Sequence, residues 1–236
     1  MNDATPRPPG VVLLHGLART SRSLRRMERA LQAAGFTTLN LDYDSRKRPI
    51  EELAEDISSP IASFAQSAGA LHFVTHSMGG LLARTYLAQY RPPRLQRIVM
   101  LGPPNNGSEV ADLLKDMALF RAFYGPAGQQ VGTKQRELLA GLPPDSEVGI
   151  IAGSRTLDPI ASFLIVPRPN DGRVSVASTR LESMADHIVL NTSHSLMLLN
   201  RGVIAQTIGF LRAGRFDRSH VAPVIASQRV ARMRAR

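Results

Sequence analysis

Phe73-Val74-Thr75-His76-Ser77-Met78-Gly79-Gly80-Leu81-Leu82 is the stretch on which the reading of this chain turns. Its first half is a short apolar run of strand length. From Met78 to Tyr90, Leu81, Leu82 and Tyr86 recur at helical spacing, and Pro92-Pro93 ends the segment. A strand that runs straight into a helix must turn sharply between them, and Ser77 followed by two glycines stands at that turn. The side chain at such a turn is exposed, and the new helix begins with backbone N–H groups that have no intrahelical acceptor. A hydroxyl placed there is a candidate nucleophile beside donors for a developing oxyanion. The plainer alternative is a serine N-cap followed by glycines that ease packing.

On either side the same rhythm continues. Apolar runs occur at Val11–Leu14, Thr37–Leu41, His72–Thr75, Ile98–Leu101, Val148–Ala152 and His187–Leu190. Each has the length of a strand buried on both faces, where continuous apolar runs replace alternation. Helical patterns lie between them: Ser21–Ala34 with Leu24, Met27 and Leu31, stopped by Gly35; Ile50–Phe64; and a last one carrying Val203, Ile204, Thr207, Ile208 and Leu211. Six strands alternating with helices predict an α/β fold, a mostly parallel sheet with helices on both faces. Residues 103–145 break the rhythm. A run that long between two strands, with Val110, Leu113, Leu114 and Met117 at helical spacing, predicts a lid insertion rather than a structureless loop.

The chain has 236 residues, of which 43% are apolar, enough for a packed core and too many for a disordered chain. With no Cys it holds no disulfide, no thiolate metal site and no cysteine nucleophile. The net charge of +10 is concentrated at the end. Between Arg212 and Arg236 stand seven Arg and one Asp, read here as a solvated, frayed tail. A second basic group, Arg19, Arg22, Arg25, Arg26 and Arg29, opposed by Glu28, reads first as a solvated face and second as a contact for an anionic head group or membrane surface. The tail lacks interleaved aromatics, so no nucleic-acid partner is expected. The first ten residues lack the apolar core of a signal peptide, and no stretch approaches the roughly 18 apolar residues of a membrane span, so a cytoplasmic protein is expected. No phosphate-binding or dinucleotide-binding glycine loop and no metalloprotease motif occurs, so neither cofactor nor obligatory metal is expected. Asp42 and Asp44 end a strand and read as a turn.

With these elements in place the chain resembles the α/β-hydrolase family, and within it lipase- and esterase-like members. Their G-x-S-x-G motif stands here as Thr75-His76-Ser77-Met78-Gly79, with Thr in place of the first Gly. His15-Gly16-Leu17, straight after the first apolar run, is similar to the family's oxyanion turn. The resemblance implies that the Leu17 and Met78 amides form an oxyanion hole, while His15 itself shapes the turn.

The family's chain order of Ser, then acid, then His implies the remaining partners. Of the six His, His72 and His187 lie inside strand patterns, His220 lies in the tail, and His76 is expected on the far side of the turn from the Ser77 hydroxyl. His194 follows the last strand and precedes the last helix, at the sheet edge where open α/β sheets hold their sites; it is the expected base. Asp171, in Asn170-Asp171-Gly172-Arg173-Val174 followed by Ser178-Thr179, resembles the family's acid-bearing loop and is preferred to Asp158, which follows the fifth strand. Asp186 sits too near a strand start to reach that edge. Gly102–Ser108 resembles the loop bordering the acyl pocket, or is an ordinary loop with Ser108 as a helix cap. Leu113, Leu114, Met117, Phe120 and Phe123 either line an acyl-binding surface or pack a lid helix on the core.

The expectation is therefore a serine hydrolase acting on a small-molecule or lipid acyl ester, with residues 1–10 as a flexible segment, 11–213 as the hydrolase domain and 214–236 as a basic tail. Acyl transfer, thioester cleavage or amide cleavage would use the same three side chains. A non-catalytic hydrolase-fold module that binds a lipid or a partner is the reading from another class, supported by Thr75 and the tail.

Overall fold

The computed structural model describes residues 6–107, 125–128, 130, 142–156 and 166–219. Six strands form one sheet: β1 (Gly10–Leu14), β2 (Thr37–Leu41), β3 (Leu71–His76), β4 (Leu95–Leu101), β5 (Glu147–Gly153) and β6 (Asp186–Leu190). Their order is β2-β1-β3-β4-β5-β6, and every neighbouring pair is parallel. The chain thus starts at β1, steps outward to β2, then crosses back to β3 and proceeds to the other edge. That reversal beside β1 is where an open sheet leaves a crevice at its carboxyl ends.

Alternation along the strands feeds two cores. On one face Val12, Leu14, Phe73, Ile98, Met100, Val148 and Ile150 pack against α2 (Ile50–Asp56), α3 (Ser58–Ser67) and α4 (Met78–Tyr90). On the other, Val11, Leu13, Val74, Val99, Leu101 and Ile151 meet α1 (Arg25–Ala33) and α5 (Arg201–Ala213). Short 3-10 turns over Ser21–Leu24 and Met197–Leu199 precede α1 and α5. The Asn200 side chain caps α5 by accepting from the Gly202 and Val203 amides. The expected doubly covered parallel sheet is the observed one.

Two details differ from the sequence expectation. The helix expected over Ile50–Phe64 is broken at Ile57 into α2 and α3. Pro60 explains the break, because its ring would collide with the Asp56 carbonyl in a continuous helix. The first helix begins as a 3-10 turn through Leu24 before becoming α-helical at Arg25. Of the insertion, residues 103–107, 125–128, 130 and 142–145 are described: Ala127 is buried in the α2–α4 core, and Gln130 accepts from the Ile50 amide and donates to Glu51. Among the described residues no helix is long and apolar enough to cross a membrane.

Candidate active site

Ser77 occupies the elbow between β3 and α4 with φ 53° and ψ −125°, a backbone conformation that a side chain adopts only when its surroundings enforce it. Its amide donates to Leu101 O and its carbonyl accepts from Gly80 N, both at 2.9 Å. The following helix is pressed onto the end of β1. A Cβ at Gly79 would stand 2.5 Å from Leu14 O and 2.6 Å from His15 O, so only glycine permits this approach. Thr75 lies inside β3, paired with Leu14 and Met100, where a β-branched residue is at home. The strain sits at Ser77, not at Thr75, whose buried hydroxyl has no partner among the described residues. The elbow thus forms with Thr75 where the family motif has Gly.

The His15–Leu17 turn lies against this elbow. A Cβ at Gly16 would fall 3.2 Å from Ser77 Cβ and 2.9 Å from His76 Nδ1. The loop after β2 holds the turn from outside. Ser45, itself buried, accepts from the Ala18 amide at 3.0 Å, and Ala18 is at φ 54°. Tyr43 stacks on the His15 ring at 3.9 Å and donates its hydroxyl to His15 O. His15 is wholly buried, its Nδ1 2.9 Å from Gly16 O, and burial pushes its pKa down. Its ring is packed into the turn. Asp42 caps the 3-10 turn by accepting from Ser21 N and Oγ, and Asp44 pairs with Lys47. Among the described residues no cluster of His or carboxylates could hold a metal.

The third part of the edge comes from the ends of β4 to β6. His194 Nδ1 lies 2.7 Å from Asp171 Oδ2, and both side chains are buried. Asp171 Oδ1 accepts from the Arg173 and Val174 amides at 3.0 and 2.9 Å, and the Asp171 carbonyl accepts from the His194 amide. A carboxylate only accepts, so the ring nitrogen facing Asp171 carries the proton: the ring takes the Nδ1–H tautomer and leaves Nε2 to accept a proton. Two glycines make room: a Cβ at Gly102 would stand 3.0 Å from Asp171 Oδ2, and one at Gly153 would stand 2.7 Å from Asp171 Cβ. The loop after β4 is fastened alongside. Asn105 donates to Thr179 O, Asn106 donates to Arg180 O, and the buried Arg84 of α4 donates to Asn105.

The sequence reading missed the role of His76. Its Nε2 lies 3.1 Å from His194 O, and its ring sits 4.8 Å from the His194 ring. Since a carbonyl only accepts, Nε2 carries the proton and Nδ1 does not; buried Nδ1 has no partner among the described residues. Burial and then the neighbouring imidazole hold His76 well below its usual range, so it stays neutral. It joins the Ser77 elbow to the His194 loop. A histidine preceding the elbow serine was the available signal. Among the described residues the Ser77 hydroxyl has no hydrogen-bond partner.

The other expected residues fall elsewhere. Asp158, His220 and the acyl-surface candidates Leu113, Leu114, Met117, Phe120 and Phe123 lie outside the described residues. Asp186 is at the start of β6, accepting from Phe216 N and pairing with Arg218. His187 meets Thr179 Oγ1 at 3.0 Å, and His72 is buried at the amino end of β3.

A parallel sheet covered on both faces, with a serine elbow and a buried carboxylate–imidazole pair on one carboxyl edge, defines the class of α/β hydrolases. A family model described as alpha/beta hydrolase fold matches residues 9–151, more than half of the chain, and the chain belongs to that family. Its fold is also that of lipase BlEst2 from Bacillus licheniformis in mature form, at 17% identity over 91% of this chain and 95% of that one, with a TM-score of 0.73. Phospholipase PlaB from Legionella pneumophila, in complex with thio-NAD, is similar at 17% identity over 86% of this chain and 55% of that one, with a TM-score of 0.65. The metagenomic carboxyl esterase MGS0156 is 17% identical over 81% of this chain and 65% of that one, with a TM-score of 0.59. No curated protein sequence matches.

Proposed function

We propose that this protein is a serine hydrolase that cleaves carboxylic esters through an acyl-enzyme intermediate, with Ser77 as nucleophile, His194 as base and Asp171 as its orienting acid. The observation that carries this reading is the 2.7 Å contact between His194 Nδ1 and Asp171 Oδ2 on the same edge as the Ser77 elbow. Ser77 Oγ attacks the acyl carbon as His194 Nε2 takes the hydroxyl proton. The oxyanion forms beside the Leu17 and Met78 amides, each worth about 3 kcal/mol at the transition state. His194 then gives its proton to the departing alcohol as the carbon–oxygen bond breaks. A water attacks the acyl-enzyme, His194 takes its proton, and the acid leaves while the proton returns to Ser77. Asp171 fixes the tautomer and stabilises the imidazolium throughout. Residues 11–213 form the hydrolase domain in this reading.

The test is hydrolysis of a p-nitrophenyl ester series by wild type and Ser77→Ala, with fluorophosphonate labelling of both. We expect wild type to be labelled at Ser77 and the variant to lose activity by at least about 10³-fold. Equal rates, or an unlabelled wild type, would remove Ser77 from the mechanism.

A further inference from the structure

Arg25, Arg26 and Arg29 of α1, with Arg22 just before it, are exposed, while Leu24, Met27 and Leu31 face the core. The acids on these elements are engaged elsewhere. Glu28 accepts from Asn40 Nδ2 at 2.9 Å, toward the β2 edge, and Asp42, which lies near Arg22, accepts from Ser21. Among the described residues no carboxylate pairs with Arg25, Arg26 or Arg29. Beside α1 packs the 3-10 turn Met197–Leu199, which follows the His194 loop. The large apolar side chains most exposed among the described residues are Tyr90, Leu196 at 44% and Leu199 at 50%, so two of the three stand at this turn. Arg19 ties the two regions together, its Nη2 donating to Ser195 Oγ at 3.2 Å.

We propose that this face, arginines flanking two exposed leucines, docks the protein on an anionic lipid bilayer. Guanidinium groups match phosphate geometry, and their attraction to an anionic surface is additive along the face. Leu196 and Leu199 supply the apolar element that enters the headgroup boundary. Aliphatic rather than aromatic side chains at its centre favour lipid over nucleic acid, which needs stacking platforms. The face lies beside the rim that carries His194, so docking presents that rim to a surface made of acyl esters. That consequence rests on the ester-hydrolase reading; the adhesion itself does not.

The experiment is co-sedimentation of the full chain with vesicles of phosphatidylcholine, with and without about one-third phosphatidylglycerol. Three full-length proteins are compared: wild type, Arg25→Gln/Arg26→Gln/Arg29→Gln, and Leu199→Ser. We expect wild type to bind the anionic vesicles and not the neutral ones, with binding lost as salt rises. Each arginine near the surface is worth about fivefold in partitioning, so the triple variant should fall about a hundredfold. Leu199→Ser should fall about fivefold. Both variants should keep the wild-type melting temperature and its rate on a soluble short-chain ester. Wild-type binding by the triple variant would overturn the proposal by assigning adhesion to another basic segment. So would absent binding to anionic vesicles, or duplex DNA bound as tightly with the same loss in the triple variant. Ser77→Ala should bind vesicles like wild type, so a failed esterase assignment and a failed docking surface give different results.

Discussion

The two halves of the candidate site are built by different means. The nucleophile half is backbone geometry on buried central strands: β1 and β3 are fully buried, Gly16 and Gly79 admit contacts no Cβ would allow, and Ser77 is held at positive φ. The acid–base half hangs from β5 and the half-buried edge strand β6, and side-chain hydrogen bonds determine where its groups point. The first half is therefore vulnerable chiefly to added volume, whereas the second, where Gly102 and Gly153 also leave no room for a Cβ, is vulnerable besides to the loss of a single donor or acceptor.

Asp171→Asn probes the second half most severely. The amide keeps the shape, but an NH₂ can face His194 and favour the wrong tautomer, with Nε2 protonated and unable to take a proton. We expect kcat/KM on a p-nitrophenyl ester to fall about 10³- to 10⁴-fold at pH 7. The melting temperature should drop by only a few degrees, because the Arg173 and Val174 amides retain the oxygen they share. A loss confined to stability would make the carboxylate structural and would erase the contrast between the halves.

His76 joins them, and its replacement measures how much one half depends on the other. His76→Phe keeps a ring against His194 and removes the Nε2–H donor; His76→Gln restores a donor near the same place. We expect the Phe variant to lose about tenfold in kcat with KM nearly unchanged, since a small misplacement of the base affects the reacting geometry more than binding. The Gln variant should recover most of that loss. Equal impairment in both would mean that packing, not the bond to His194 O, is what His76 supplies.

The same contrast explains what could be read from the sequence. Strand-length apolar runs bounded by helical spacing made the sheet legible, and Ser77-Met78-Gly79-Gly80 made the elbow legible, because both are local consequences of backbone geometry. The acid was not local. Asp171 and His194 are 23 residues apart, and their meeting depends on Gly102, just past the end of β4, and Gly153, the last residue of β5. Only likeness to a family loop singled out Asp171, since nothing in the Asn-Asp-Gly turn distinguishes it from a surface turn. His76 was missed for a related reason: its partner is a backbone carbonyl 118 residues away, which no periodicity reports. The Ile57 break was readable from Pro60, whereas the bond of Ser45 to the Ala18 amide was not.

His72 is the counterpart of His76 at the other end of β3, and it separates burial from function. Both imidazoles are buried, with a ring nitrogen lacking a partner among the described residues, but His72 meets the Phe36 ring at a near-right angle and lies near Arg97 rather than the His194 loop. Burial first, and Arg97 second, lower its pKa to about 4. A group whose native pKa is below its unfolded value near 6.5 takes up protons preferentially when unfolded. Stability is thus unaffected above that value and falls as pH drops toward 4, by up to about 3 kcal/mol for this one side chain. His187, lowered to about 4 by its own burial, adds in the same direction. Urea unfolding of wild type and His72→Leu between pH 7.5 and 4.5 checks this. The variant should lose a share of the acid sensitivity, while its ester hydrolysis at pH 7.5 stays within about twofold of wild type. Acid profiles that superimpose would show that His72 is protonated as readily in the fold as in the open chain. A matching fall in kcat would show that the amino end of β3 communicates with the elbow, and the division of the molecule into a structural and a chemical edge would fail.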